Sequence, residues 1–206
     1  MGELILVRHG ETSWSRTMKH TSWTDLPLTE AGEAQARAVA PLLAERRIAL
    51  TLTSPLARAR RTAELAGLGP TFVDADLHEW DYGAYEGITS VEIHRERPDW
   101  DLWTQGVAEG PPEHPGETPQ EVGERADRVL KTVDAALRDA DLDGDGGDVV
   151  LVAHAHFLRV LAARRLGLPA SAGALFRLDT GSVSRLGTEH GRPVVAAWNE
   201  TPAVTQ

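Results

Sequence analysis

Short apolar runs that end on a basic or hydroxyl residue, separated by helix-length amphipathic segments, set the limits on how this chain folds. Leu4-Ile5-Leu6-Val7 is strand-length and runs straight into Arg8-His9-Gly10. Ile48 to Thr53 is a second such run, followed by Ser54-Pro55 and Arg58, and Val149 to Ala153 is a third, ending at His154. Strands that stay apolar without alternation are buried on both faces, as in a parallel sheet covered by helices. The pattern therefore predicts an α/β fold, a three-layer α/β/α sandwich with a mostly parallel central sheet. Ligands of such sheets bind beyond the carboxyl ends of the strands. Arg8-His9, Ser54 to Arg58 and His154 are thus expected to meet at one edge.

The segments between the strands read as helices. Thr29 to about Arg47 carries Ala34, Ala38 and Leu42 over several turns, with Pro41 expected to bend or divide it. Ser54-Pro55 reads as an N-cap followed by proline, opening a helix to about Leu65 that Gly67 and Gly69 end. Thr118-Pro119-Gln120-Glu121 is a capping box, and the stripe Val122, Ala126, Val129, Val133, Leu137 predicts the long helix behind it. A helix from about Phe157 to Leu166 follows His154, and Val183-Leu186 and Pro193-Trp198 read as a late hairpin around Glu189-His190-Gly191. Residues from about 74 to 117 show little periodicity and read as an irregular excursion over the site. The tail after Glu200 is expected to fray.

At 206 residues the chain is expected to form one domain, 1–206, large enough to bury a core. It has no cysteine, which excludes disulfides, thiolate catalysis and cysteine-bound zinc. No apolar run approaches the length of a spanning helix and no leader pattern opens the chain, so a soluble, cytoplasmic protein is expected. A formal net charge of −10 argues against nucleic acid and anionic membranes as partners. Any phosphate site must then be locally basic within an acidic surface. The sequence leaves a homo-oligomer open.

Neutral imidazole is a competent nucleophile toward phosphorus, which makes His9 the first candidate. Phosphoryl transfer is mostly positioning and charge neutralisation. Arg8 and Arg58 suit that need, because a guanidinium binds two phosphate oxygens in a fork. Arg60 and Arg61 read as a solvated face. His154 is expected to be a charged phosphate ligand, with His156 at the pocket mouth. Histidines two apart at a strand end point to opposite faces and no spaced carboxylate accompanies them, so no metal is expected there. Asp139-Ala140-Asp141-Leu142-Asp143-Gly144 matches half of a calcium loop, but Val150 stands at the twelfth position, and an acidic turn is expected instead. A leaving alkoxide needs a proton. Glu79, in an aromatic-rich segment able to raise a carboxyl pKa, is one donor candidate, with Glu11, Glu86 and Asp81 as competitors.

Taken in order, Leu6-Val7-Arg8-His9-Gly10-Glu11-Thr12, Thr24 to Gly32, Ser54-Pro55-Leu56-Ala57-Arg58-Ala59, Leu77-His78-Glu79 through Gly83 with Glu86-Gly87, and Val152-Ala153-His154 resemble the histidine phosphatase superfamily, also called phosphoglycerate mutase-like. The resemblance spans nearly the whole chain and implies that fold. It implies His9 as the phosphorylated nucleophile and selects Glu79 as proton donor, later the base toward water. Arg8, Arg58 and His154 would bind the phosphoryl group, helped by Ser15, Thr21, Ser22 and the backbone at Ala155, with Tyr82 near the leaving group. Ser15 stands where asparagine is usual, and Ser22 and Ala155 where glycine is usual.

Within that family the chain looks like the small bacterial acid phosphatases, with sugar-bisphosphatases as near relatives. The mutases carry a basic insertion after the acid. Here residues from Ile88 to Glu117 offer only Arg95 and Arg97 as firm positive charges. A metal-independent phosphomonoesterase without cofactor, acting on a small phosphorylated metabolite, is therefore expected. An acidic optimum goes with it, since Glu79 must be protonated and His154 charged. Phosphoglycerate mutase activity and a non-catalytic phospho-ligand module are the alternatives.

Overall fold

In the computed structural model, which describes residues 2–142, 144 and 146–203, the apolar runs form the centre of one sheet. Its strands are β1 (Leu4–Arg8), β2 (Ile48–Thr53), β3 (Phe72–Val73), β4 (Asp148–Ala153), β5 (Val183–Glu189) and β6 (Arg192–Glu200), in the order β3-β2-β4-β1-β5-β6. The pairs β3·β2, β2·β4 and β4·β1 are parallel, whereas β1·β5 and β5·β6 are antiparallel. The late hairpin therefore extends the sheet as an antiparallel wing.

Alternation along the strands feeds two cores. Leu4, Leu6, Val149, Leu151 and Ala153 pack with Val122, Ala126, Val129 and Val133 of α6 (Pro119–Leu142) and Phe157, Leu158 and Leu161 of α7 (Ala155–Arg165). Ile5, Val7, Val150 and Val152 point the other way, onto Val39 and Leu43 of α2 (Glu30–Leu43) and Ala59 and Ala63 of α3 (Ala57–Leu65). Helices on both faces of a mostly parallel sheet give the three layers expected. No helix among the described residues is long and apolar enough to cross a membrane.

Several local expectations are corrected. The buried stripe of α2 is Gly32, Ala36, Val39 and Leu43 rather than the Ala34-Ala38-Leu42 face, and Pro41 falls in the last turn without dividing the helix. Ser54 does not cap α3. That helix starts at Ala57 with Leu56 as N-cap, and Ser54 Oγ instead meets the ring of His154. The excursion holds two short helices, α4 (Ser90–Glu96) and α5 (Leu102–Gln105), and 3-10 turns at Ala75–Leu77 and Gly83–Tyr85. The four-residue helix α1 (Ser13–Arg16), capped by Thr12, and the short strand β3 were not foreseen. Asp143 of the acidic turn and the end of the tail lie outside the described residues.

The loop after β1 is seated by close backbone packing. Gly10 donates its amide to Thr62 Oγ1 at 3.1 Å, and Glu11 donates its own to Gln35 Oε1 at 2.8 Å. A Cβ on Gly10 would stand 2.2 Å from the Gly32 carbonyl oxygen, and one on Gly32 would stand 2.1 Å from the Glu11 carbonyl oxygen. Two backbones thus meet where neither tolerates a side chain. Gly32→Ala is expected to lower stability by about 1–3 kcal/mol, the usual range for overpacking, read as a lower thermal midpoint. An unchanged midpoint would rule out this interlock.

Candidate active site

The parallel register decides which side chains meet. Arg8 pairs with Ala153, and Thr53 pairs with Val152, so the three strands stop at nearly one level. Just beyond them His9 donates its amide to the Ala153 carbonyl at 3.0 Å, and Ser54 donates to Val152 at 3.0 Å. His9, Ser54 and His154 therefore emerge side by side. The His9 and His154 rings lie 5.1 Å apart in an edge arrangement.

His9 is almost fully buried, and its Nδ1–H donates to the Gly10 carbonyl at 2.7 Å. That bond fixes the tautomer, leaving the lone pair on Nε2. Burial, then the Arg58 and Arg8 charges, hold its pKa well below the ordinary histidine value. The ring is a neutral imidazole at neutral pH.

A cavity of about 470 Å³ opens over this point, lined among others by Arg8, His9, Ser15, Thr21, Glu79, Tyr82, Ala155 and His156. Arg8 donates Nη1 to the Leu178 carbonyl at 2.5 Å, while its Nε is buried without a partner. Glu79, only 4% exposed, accepts the Trp80 amide at 2.9 Å and the Phe157 amide at 2.8 Å on Oε1, and the His156 amide at 3.1 Å on Oε2. Its carboxyl group thus sits on the N-terminus of α7, held by three backbone amides. Leu158 bonds back to the His154 carbonyl, and Ala155, the first residue of α7, lines the cavity. Tyr82 and His156 share a hydrogen bond of 2.5 Å between the hydroxyl and Nδ1.

Among the competing acids, Glu11 accepts the Thr29 hydroxyl, Glu86 accepts the Ser22 and Thr24 amides, and Asp81 accepts the Gly83 amide. None of the three lines the cavity.

Three expected ligands lie behind the cavity wall. Arg58, 1% exposed, donates Nε to His154 Nδ1 at 3.2 Å, Nη1 to the Thr24 carbonyl, and Nη2 to the Thr21 and Ser22 carbonyls. His154 is fully buried, and its Nε2–H donates to Ser54 Oγ at 2.8 Å. Burial and the Arg58 charge push its pKa well below the ordinary value, so the expectation of a charged His154 is corrected: a ring that accepts from a guanidinium is neutral. Ser22 is buried with its hydroxyl toward the Glu79 carbonyl rather than the cavity.

The cavity also takes residues the sequence reading missed: Thr12, Lys19, His20, Arg159, Asp179 and Thr180. Arg159 had a usable signal, because it lies four residues after Ala155 on α7 and so on the same helix face. Its guanidinium lies 4.4 Å over the Trp103 ring and bonds the Gly173 carbonyl. His20, beside the Tyr82 ring at 4.7 Å, comes from a loop with no periodicity to read. No group of histidine, aspartate and glutamate residues able to hold a metal occurs among the described residues.

The family model for the histidine phosphatase superfamily (branch 1) matches residues 4–201. The chain belongs to this superfamily. An acid phosphatase of Mycobacterium tuberculosis is 39% identical over 190 residues, covering 91% of this chain and 87% of that protein. A probable phosphoglycerate mutase of Photorhabdus laumondii is 34% identical over 203 residues, covering 96% and 90%. Among solved structures, an open reading frame product of Mycobacterium tuberculosis superimposes with a TM-score of 0.88 at 37% identity, covering 97% of this chain and 98% of that one. This phosphatase therefore carries the superfamily fold along nearly its whole length.

The histidines give the site a pH signature. Burial lowers the pKa of His9, His20, His78, His154 and His156. A histidine with a lowered folded pKa leaves stability untouched at pH above its unfolded value. As pH falls below that value, the unfolded chain takes up protons that the folded one refuses, and stability drops. Each such ring contributes a slope of up to ~1.4 kcal/mol per pH unit. Urea midpoints are expected to fall between neutral pH and the lower folded pKa values, with several rings adding. A midpoint that is flat through the histidine range would contradict their burial as neutral groups.

Proposed function

We propose that this phosphatase is a metal-independent phosphomonoesterase that hydrolyses a small phosphorylated metabolite through a phosphohistidine on His9. The observation that carries the reading is the His9 ring itself: Nδ1–H is tied to the Gly10 carbonyl, and burial beside two arginines keeps the ring neutral. An unprotonated Nε2 is what attack on phosphorus requires.

The roles of the other groups follow from where they lie. Arg8, with an unpartnered Nε on the cavity side of β1, and the Ala155 amide neutralise the phosphoryl oxygens. Arg58 and His154 act from behind. Arg58 adds positive potential beneath His9, and His154 holds its guanidinium in place through Nδ1. In the first step the phosphorus–oxygen ester bond breaks as the bond to His9 Nε2 forms, and the Glu79 carboxyl gives its proton to the leaving oxygen. In the second, water attacks phosphorus, Glu79 takes the water proton, and the phosphorus–nitrogen bond breaks. Tyr82, His156 and Thr21 border the leaving group, with the Ser15 hydroxyl at the same wall.

Hydrolysis is favoured over mutase activity because the excursion brings little positive charge to the cavity. Arg97 is spent on the Tyr85 hydroxyl and Gln105, and Arg95 is not among the lining residues. An optimum on the acid side fits a nucleophile that remains unprotonated well below the ordinary histidine pKa.

His9→Ala is expected to reduce phosphate release from a monoester at least about a thousandfold, as loss of a nucleophile does. An acid-labile phosphoryl group should be trapped on His9 and located by mass spectrometry, and EDTA should leave turnover unchanged. 3-Phosphoglycerate with a bisphosphate primer should yield inorganic phosphate and no isomer. Activity retained by His9→Ala, or abolished by EDTA, would sink the mechanism.

A further inference from the structure

The segment that carries Glu79 is gripped by a buried ion pair that does not itself reach the cavity. Arg125, on α6, is 3% exposed and forms a fork with Glu117, Nε to Oε1 at 2.9 Å and Nη2 to Oε2 at 2.8 Å. Its remaining donors go to carbonyls around the acid: Nη1 to Asp76 and His78, each at 2.7 Å, and Nη2 to Glu79 itself at 3.3 Å. Glu117 completes the hold from the other side. Its carboxylate accepts the Asp81 amide at 2.9 Å and its carbonyl accepts the Trp80 indole N–H at 2.8 Å.

The same guanidinium lies 4.5 Å over the ring of Phe157, and the Phe157 amide is one of the three that hold the Glu79 carboxyl group. The pair therefore touches both ends of the problem. It fixes the backbone from Asp76 to Asp81, and it packs against the residue whose N–H aims the carboxyl group.

We infer that Arg125 and Glu117 form a positioning clamp for the proton donor, setting where the Glu79 carboxyl group stands relative to the leaving oxygen. This rests on the reading of Glu79 as general acid. A clamp that served only the fold would slow every substrate alike. A clamp that acts through Glu79 weighs on substrates in proportion to their need for a proton. An alkoxide leaves only with one, whereas p-nitrophenolate leaves well without it.

The test compares β-glycerol phosphate with p-nitrophenyl phosphate as substrates for Arg125→Lys and Glu117→Gln, with far-UV circular dichroism to establish folding. Glu117→Gln keeps the shape and an acceptor oxygen, so it reports even where the arginine variant fails to fold. Misplacing a reacting group by about 1 Å costs on the order of a hundredfold. kcat/KM, which reports the step that expels the leaving group and not the shared hydrolysis of the phosphohistidine, is therefore expected to fall about ten- to a hundredfold for the alkyl ester, with a far smaller loss for the aryl ester. Glu79→Gln should show the same split more strongly. Equal losses on the two esters, or none, would overturn the clamp while a split in Glu79→Gln left the proton donor standing. Absence of the split in Glu79→Gln would overturn both.

Discussion

The parallel register of β1, β4 and β2 is the constraint from which the rest of the site follows. Because Arg8 lies level with Ala153, and Thr53 with Val152, His9 and His154 leave the sheet level with each other and Ser54 one residue below them. Ladder hydrogen bonds continue one step beyond the strands, at His9 and Ser54, so these positions are as rigid as the sheet. A slip of one residue in any of the three would turn its side chain to the opposite face. His9, the hydroxyl that meets His154, and the N-cap of α7 would then no longer share a neighbourhood.

On that platform the charges are arranged against their ordinary preferences. Arg58 is fully buried with backbone carbonyls and the His154 ring as its acceptors, its carboxylate contact being Asp25 at 3.9 Å. Arg8 borders the cavity with a donor unused. Taking cations out of water this way is unfavourable, and its electrostatic consequence falls on the histidines, which stay neutral beside them. A neutral His9 ring at low pH and loss of stability at low pH are thus two faces of the same burial.

Much of this was legible in the residues. The apolar runs ending at Val7, Thr53 and Ala153 specify buried parallel strands, and Thr118 to Glu121 marks the start of α6 by cap chemistry that the structure contains. Glycine and hydroxyl positions were harder to read. Ser54 has the sequence look of an N-cap, yet its oxygen answers a buried ring reached only through tertiary packing. Arg58 and His154 were legible as partners of the site, but not their retreat behind its wall, since burial depth depends on how the loop carrying Thr21, Ser22 and Thr24 folds over them. Residues 76 to 79 gave no period because their carbonyls are held by Arg125 of α6, a kind of order that has no local signature.

The place of β1 in the sheet carries a consequence for biosynthesis. This strand precedes the other five in sequence, yet it lies inside the sheet, flanked by β4 and β5, which come much later in the chain. Glu3 and Asp148, joined by a hydrogen bond, are separated by 145 residues. The loop after β1 leans on the same late segment, since the Gly181 amide donates to the carbonyls of Arg8 and His9. Contacts of such high sequence separation form late and slowly. A nascent chain therefore holds the His9 segment without its supporting strands until β4 and β5 have been made, and the cavity over His9 assembles only after that.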